Sequence, residues 1–165
     1  MSAIEQLLRD VDWQNLDILI IDMPPGTGDA QLTLSQRVQL SGAIIVSTPQ
    51  DLSLIDARKG LNMFKKVNVP ILGIIENMSY FLCSNCDTKH PIFGNGGAKM
   101  EAKKLGIPFL NEIPLDTILR ATSDQGNPIL VEDPTHIISK KYIEIGSKII
   151  KTITNNVRSS PNIIQ

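Results

Sequence analysis

LDILIIDMPPGTGD, residues 16–29, is the stretch from which the fold of the chain is read. The apolar run from Leu16 to Ile21 has no alternation of polar and apolar residues, the pattern of a strand buried on both faces, and Asp22 ends it. Pro24, Pro25, Gly26, Thr27 and Gly28 then force an irregular turn, and Asp29 is placed to cap a following helix. In an open α/β sheet, ligands bind in the crevice at the carboxyl ends of the strands. A carboxylate there, beside glycines that let backbone N–H groups approach a ligand, suits a hydrated Mg²⁺ next to a phosphate. The plainer reading is that Asp22 caps the turn and the glycines merely make it, and the short motif alone leaves both open.

Working outward, GAIIVS (42–47), PILGIIE (70–76) and the weaker PFLNEIP (108–114) repeat the buried-strand pattern. Enough chain lies between them for crossover helices, which predicts an α/β fold with a mostly parallel sheet flanked by helices. Helices are expected over 30–40, over 52–67 with Pro49 and Asp51 as breaker and cap, and over 97–105, closed by Gly106 and Pro108. Ile138, Tyr142, Ile145, Ile149 and Ile153 recur at helical spacing, a stripe expected to pack on the sheet. The 165 residues suit one domain, read as 1–154, with 155–165 as a frayed tail. The segment 79–95 is longer than an ordinary strand-to-helix loop, and long ordered loops tend to carry function.

Sixteen Lys and Arg against 17 Asp and Glu leave a net charge of −1, which gives no electrostatic footprint for nucleic acid. The lysines at 59, 65, 66, 99, 103 and 104 read as solvated helix faces. No apolar run approaches the length of a membrane span, and the acidic opening MSAIEQLLRDVDW fits no secretory or transit signal.

Two cysteines, Cys83 and Cys86, stand in C-x2-C spacing inside the long loop. They close too small a ring to staple a fold and read as soft ligands for iron–sulfur clusters or Zn²⁺. A four-thiolate cluster needs two more cysteines than the chain has, so either two copies meet across a two-fold axis or the site is incomplete. Zinc is the alternative, with His90 as a third ligand in C-x2-C-x3-H. A thioredoxin-like redox pair is disfavoured, because no helix is expected to open at the first cysteine.

Taken together, DMPPGTGD (22–29), GAIIVSTPQDLSLIDARKG (42–60), GIIENMSYFLCSNC (73–86), IFGNGG (92–97), LGIPFLNEIPLD (105–116) and SDQGNPI resemble the C-terminal part of the Mrp/ApbC family of P-loop ATPases. That family handles iron–sulfur clusters and is related to the MinD-type dimeric ATPases. The resemblance implies an incomplete MinD/SIMIBI-type P-loop NTPase fold. It implies that Asp22 holds Mg²⁺ through water and orders the attacking water, and that Gly26, Thr27 and Gly28 sense the γ-phosphate of ATP. Asn77 is similar to the family's adenine-reading asparagine, with Pro114, Leu115 and Asp116 lining the other side of the base. Cys83 and Cys86 would hold a [4Fe-4S] cluster shared by a homodimer and passed to apo-proteins, respiratory complex I being one candidate, in an ATP-dependent manner. The family does not use His90. The opening residues are most like a mitochondrial member, which implies the mitochondrial matrix, with bacterial cytoplasm as the alternative.

The phosphate-binding motif G-x-x-x-x-G-K-[ST] does not occur, and the chain contains no Gly-Lys pair. Only 21 residues precede Asp22, fewer than a strand, phosphate loop and crossover helix require. The expectation is a chain lacking the family's N-terminal part, inactive as an ATPase alone and exposing apolar strand edges. The second functional reading is a non-hydrolysing metal- or partner-binding module, holding zinc or no metal.

Overall fold

The apolar runs at 43–47, 71–76 and 109–112 become the strands of a parallel sheet, as their lack of alternation requires. The computed structural model describes residues 6, 8, 10–23, 28–38, 40–83, 85, 86 and 88–155. Its elements run α1 (Asp29–Arg37), β1 (Ala43–Ser47), α2 (Asp51–Lys66), β2 (Ile71–Glu76), β3 (Phe81–Leu82), β4 (Lys89–His90), α3 (Gly97–Leu105), β5 (Phe109–Glu112), α4 (Thr117–Asp124), α5 (Ile129–Glu132) and α6 (Ile137–Asn155). The main sheet has the order β1-β2-β5 and both pairings are parallel. The hairpin β3-β4 is antiparallel.

Adjacent strand residues point to opposite faces, and each face has its own cover. Ile45 and Ile74 pack with Leu54, Leu61, Phe64, Ala98 and Ala102, so α2 and α3 cover one side. Ile44 and Ile75 pack toward Leu110, Ile129, Ile138 and Ile145, so α5 and α6 cover the other. The α6 stripe is therefore core-facing at Ile138 and Ile145, with Ile149 packed against that core and Tyr142 partly covered at 37% exposure. The six lysines expected on helix faces are all exposed.

The helix boundaries differ slightly from expectation. Gln50 is the cap of α2, and Asp51 stands in its first turn, where its charge favours the positive end of the helix dipole. Likewise Gly28 caps α1, so Asp29 lies inside the helix and not at its cap. Gly106 closes α3 in the left-handed conformation, as its sequence position predicted.

The segment 16–22 departs from expectation outright. It forms no strand, and among the described residues nothing pairs with it in a sheet. Leu16, Ile18, Leu19 and Ile20 are exposed, Ile20 at 84%. An apolar run reports a preference for burial, whereas a parallel strand also needs neighbours to accept its backbone hydrogen bonds. β1, whose single hydrogen-bonded neighbour among the described strands is β2, leaves its other edge open. Residues 24–27, which hold the expected Gly26 and Thr27, and most of the expected tail, 156–165, lie outside the described residues.

Candidate functional site

The carboxyl ends of β1, β2 and β5 lie side by side, and they carry most of the candidate residues. Asn77 follows β2 directly, and its N–H donates to the carbonyl of Ser47 at the end of β1, 2.8 Å away. Its amide oxygen accepts from the Met78 N–H at 3.0 Å. That oxygen has a second lone pair and the NH₂ group remains a donor, so the amide edge can still read a purine edge. Met78 takes a positive φ of 53°, which turns the chain sharply at the strand end.

Beyond that turn the chain runs alongside the segment after β5. Ser79 N–H donates to Ile113 O at 3.0 Å and Leu115 N–H to Tyr80 O at 2.7 Å. Asn77 and the strip Pro114, Leu115 and Asp116 are thereby brought together at neighbouring strand ends. Asp116 also caps α4, its carboxylate accepting from the N–H groups of Ile118 and Leu119 at 2.7 and 2.9 Å. Asp22 is exposed and follows the unpaired segment 16–21. Gly28 is exposed in an extended conformation ahead of α1.

Two features fix the floor of this crevice. Glu76 is buried at 1% exposure and its carboxylate accepts from the N–H of Ala98 at 2.7 Å, holding the N-terminus of α3 against β2. Gly97 lets that N-terminus reach the β1–α2 loop, since a Cβ there would sit 2.5 Å from the Pro49 carbonyl oxygen. Neither role had a recognisable sequence signal, although the GNGG string marked the place.

The cysteines sit on the β3-β4 hairpin, which continues directly from the same turn. Phe81 is paired with His90 and Leu82 with Lys89, and the Cys83 N–H donates to Thr88 O at 3.0 Å. Phe81 also bridges to Leu115, so the hairpin is hydrogen-bonded to the strip that holds Asp116. Lys89 lies over the Tyr80 ring, 4.3 Å from its centroid, and both Lys89 and Lys141 approach Glu112, at 4.0 and 3.8 Å. These contacts anchor the hairpin to β5 and α6.

Within the hairpin, Cys83 is half-buried and Cys86 exposed. Their sulfurs and an imidazole nitrogen of His90 all lie within 4.8 Å of one another. The Cys86 thiol donates to Thr88 Oγ1 at 3.2 Å, and once the sulfur is ionised the same hydroxyl can turn to donate to it. Hydrogen bonding from the Thr88 side chain first, then the Thr88 backbone and the Cys83 thiol, holds the Cys86 thiol below its ordinary pKa, against a small opposing effect of burial. Among the described residues no helix starts at Cys83. Thr88 went unnoticed in the sequence because a threonine two residues after a cysteine carries no signal of its own.

A family described as ParA: NUBPL iron-transfer P-loop NTPase matches residues 1–150. The iron-sulfur cluster transfer protein NUBPL of Dictyostelium discoideum is 54% identical, over 99% of this chain and 52% of its own length. An Arabidopsis thaliana protein named as an iron-sulfur protein required for NADH dehydrogenase, mitochondrial, is 48% identical over 100% and 53%. The iron-sulfur cluster carrier protein of Haemophilus influenzae is 49% identical over 90% and 40%. The chain thus spans about half the length of the curated relatives it matches. Among solved structures, a nucleotide-binding protein in complex with ADP from Archaeoglobus fulgidus, with cobalt found in it, superposes with a TM-score of 0.70 at 44% identity, over 81% of this chain and 54% of that one. The cell division ATPase MinD of Pyrococcus furiosus shares the fold at a TM-score of 0.52 and 24% identity, over 68% and 43%. With a parallel sheet flanked by helices, a C-x2-C hairpin and a family match over residues 1–150, the chain belongs to the NUBPL iron-transfer P-loop NTPase family.

Proposed function

We propose that this chain is the cluster-holding part of an iron–sulfur cluster carrier. The observation that carries the reading is the pair of thiols at Cys83 and Cys86, accessible on a hairpin and close enough to bind the same metal group. Thiolates are the ligands of choice for iron–sulfur clusters, and a lowered Cys86 pKa favours the ligating form. Two such ligands fill half of a four-thiolate site, so the partner is a second copy of the chain and the cargo a [4Fe-4S] cluster bridging the two. Exposure of Cys86 suits a cluster that is handed on to apo-proteins. The Arabidopsis relative's name makes a respiratory NADH dehydrogenase one candidate recipient. The same name supports a mitochondrial matrix location, with bacterial cytoplasm as the alternative suggested by the Haemophilus relative.

The strand-end crevice is proposed to take ATP with Mg²⁺. Asn77 would read the adenine edge, Pro114, Leu115 and Asp116 would flank the base, and Asp22 with Gly26, Thr27 and Gly28 would face the phosphates. ATP supplies the phosphoryl transfer and its binding energy. The Asn77 donor and acceptor on one amide edge fit a purine, and the hydrogen bond from the Leu115 N–H to the Tyr80 carbonyl, with the bridge between Phe81 and Leu115, gives the strand ends and the cysteine hairpin a common support. No phosphate-loop motif occurs in the 165 residues, so this chain alone is expected to show no Mg²⁺-dependent ATP turnover.

Anaerobic reconstitution with iron and sulfide tests the reading. The chain should develop the broad visible absorption of sulfur-to-iron charge transfer, and Cys86→Ala should lose it. A Cys86→Ala variant that retains full cluster would refute the ligand assignment.

A further inference from the structure

We infer that Lys89 and Lys141 converge on a carboxylate seat at the base of the cysteine hairpin, and that an acidic side chain of a partner protein occupies it. Their ammonium groups come from different elements, β4 and α6, and meet over one ring: Lys89 Nζ lies 4.3 Å and Lys141 Nζ 6.0 Å from the centroid of Tyr80. Both approach the same oxygen, Oε1 of Glu112, at 4.0 and 3.8 Å. These separations exceed hydrogen-bond length, so the two cations share a counter-ion that satisfies none of their N–H groups. Among the described residues neither ammonium has a hydrogen-bond acceptor. The Lys141 side chain is 17% exposed, which leaves its ammonium little freedom to turn elsewhere.

The charge balance selects the ligand. Two ammoniums against one carboxylate leave one positive charge. The next acid that feels Lys141, Glu144, is committed elsewhere: it pairs with Lys148 at 2.7 Å and accepts from Asn111 at 3.0 Å. One residual charge with N–H donors on both sides suits a singly charged carboxylate that accepts from both ammoniums at once. A doubly charged phosphate would set its second charge against Glu112. The position of the seat argues for a protein as the source of that carboxylate. Lys89 pairs with Leu82, the residue before Cys83, so an acidic residue bound here fixes a partner's surface against the hairpin that carries both thiols. Naming that partner as the recipient apo-protein rests on the carrier reading; the seat itself does not.

Titration of the metal-free full chain into a labelled hexaglutamate peptide at low salt, followed by fluorescence anisotropy, tests this. The expected result is saturable binding that salt weakens. Lys89→Ala and Lys141→Ala should each weaken it at least about fivefold, the upper end for one exposed ion pair, while Lys141→Arg should retain it. Lys104→Ala, which removes the same charge from α3 on the other face of the sheet, should change it little. Glu112→Gln should tighten binding more than Asp51→Asn, which removes equal charge from α2. Equal weakening by Lys104→Ala and Lys141→Ala, or equal tightening by Glu112→Gln and Asp51→Asn, would show general attraction to a charged surface and overturn the seat. Inorganic phosphate that displaces the peptide better than acetate at equal ionic strength would overturn the carboxylate assignment. Cys86→Ala, which should lose the cluster, should bind the peptide as the native chain does, so the failure of either reading is visible without the other.

Discussion

The acidity of Cys86 comes from Thr88. Its hydroxyl and backbone both stabilise the thiolate, and the Cys83 thiol adds to them, on a residue that is otherwise exposed. A thiol whose pKa is lowered reaches its reactive form at lower pH, so the alkylation rate of Cys86 should rise with pH earlier than that of an ordinary cysteine. Thr88→Val removes the hydroxyl and should move that rise to higher pH; an unmoved midpoint, followed by mass spectrometry of the alkylated peptide, would contradict the assignment. At this scale the sequence showed where C-x2-C and the asparagine ending a strand would stand. It was silent on Thr88 and on the buried Glu76, because their roles depend on partners brought in by folding, respectively the hairpin tip and the N-terminus of α3.

At the scale of elements, Asp116 has two roles that can be separated. As the cap of α4 it satisfies two backbone N–H groups, and Asp116→Ala should cost about 1 kcal/mol in urea-induced unfolding. Asp116→Asn keeps a capping oxygen and should cost only a few tenths. Equal destabilisation by both would show that the carboxylate charge, not the cap, is what matters there. The strands β1, β2 and β5 and the helices α2, α3 and α6 were readable because each is long or strongly apolar. The hairpin β3-β4 and the short helices α4 and α5 were not, since two-residue strands and one- or two-turn helices give no periodicity to detect. The run 16–22 was misread for the opposite reason: its composition is that of a strand, but a strand is defined by its neighbours.

At the scale of the whole molecule, the described structure is a sheet with helices on both faces, beside which an apolar stretch remains uncovered. Val11, Trp13, Leu16, Ile18, Leu19 and Ile20 are exposed, and so is Val46 on β1. Exposed apolar side chains in such number promote association. Ile20→Lys should therefore reduce light scattering by the purified chain while changing unfolding stability by less than about 0.5 kcal/mol, as expected for an exposed position. Scattering that is unchanged would show that the stretch does not drive association. The family match and the C-x2-C hairpin lead to a single central claim, that two copies of this chain share one cluster through Cys83 and Cys86. Native mass spectrometry of the anaerobically reconstituted chain, with iron and sulfide determined on the same sample, tests it most directly. The expected species has two chains and one [4Fe-4S] cluster, about two irons per chain, and is lost in Cys83→Ala and in Cys86→Ala. A cluster held by a single chain, or one that survives removal of either cysteine, would contradict it.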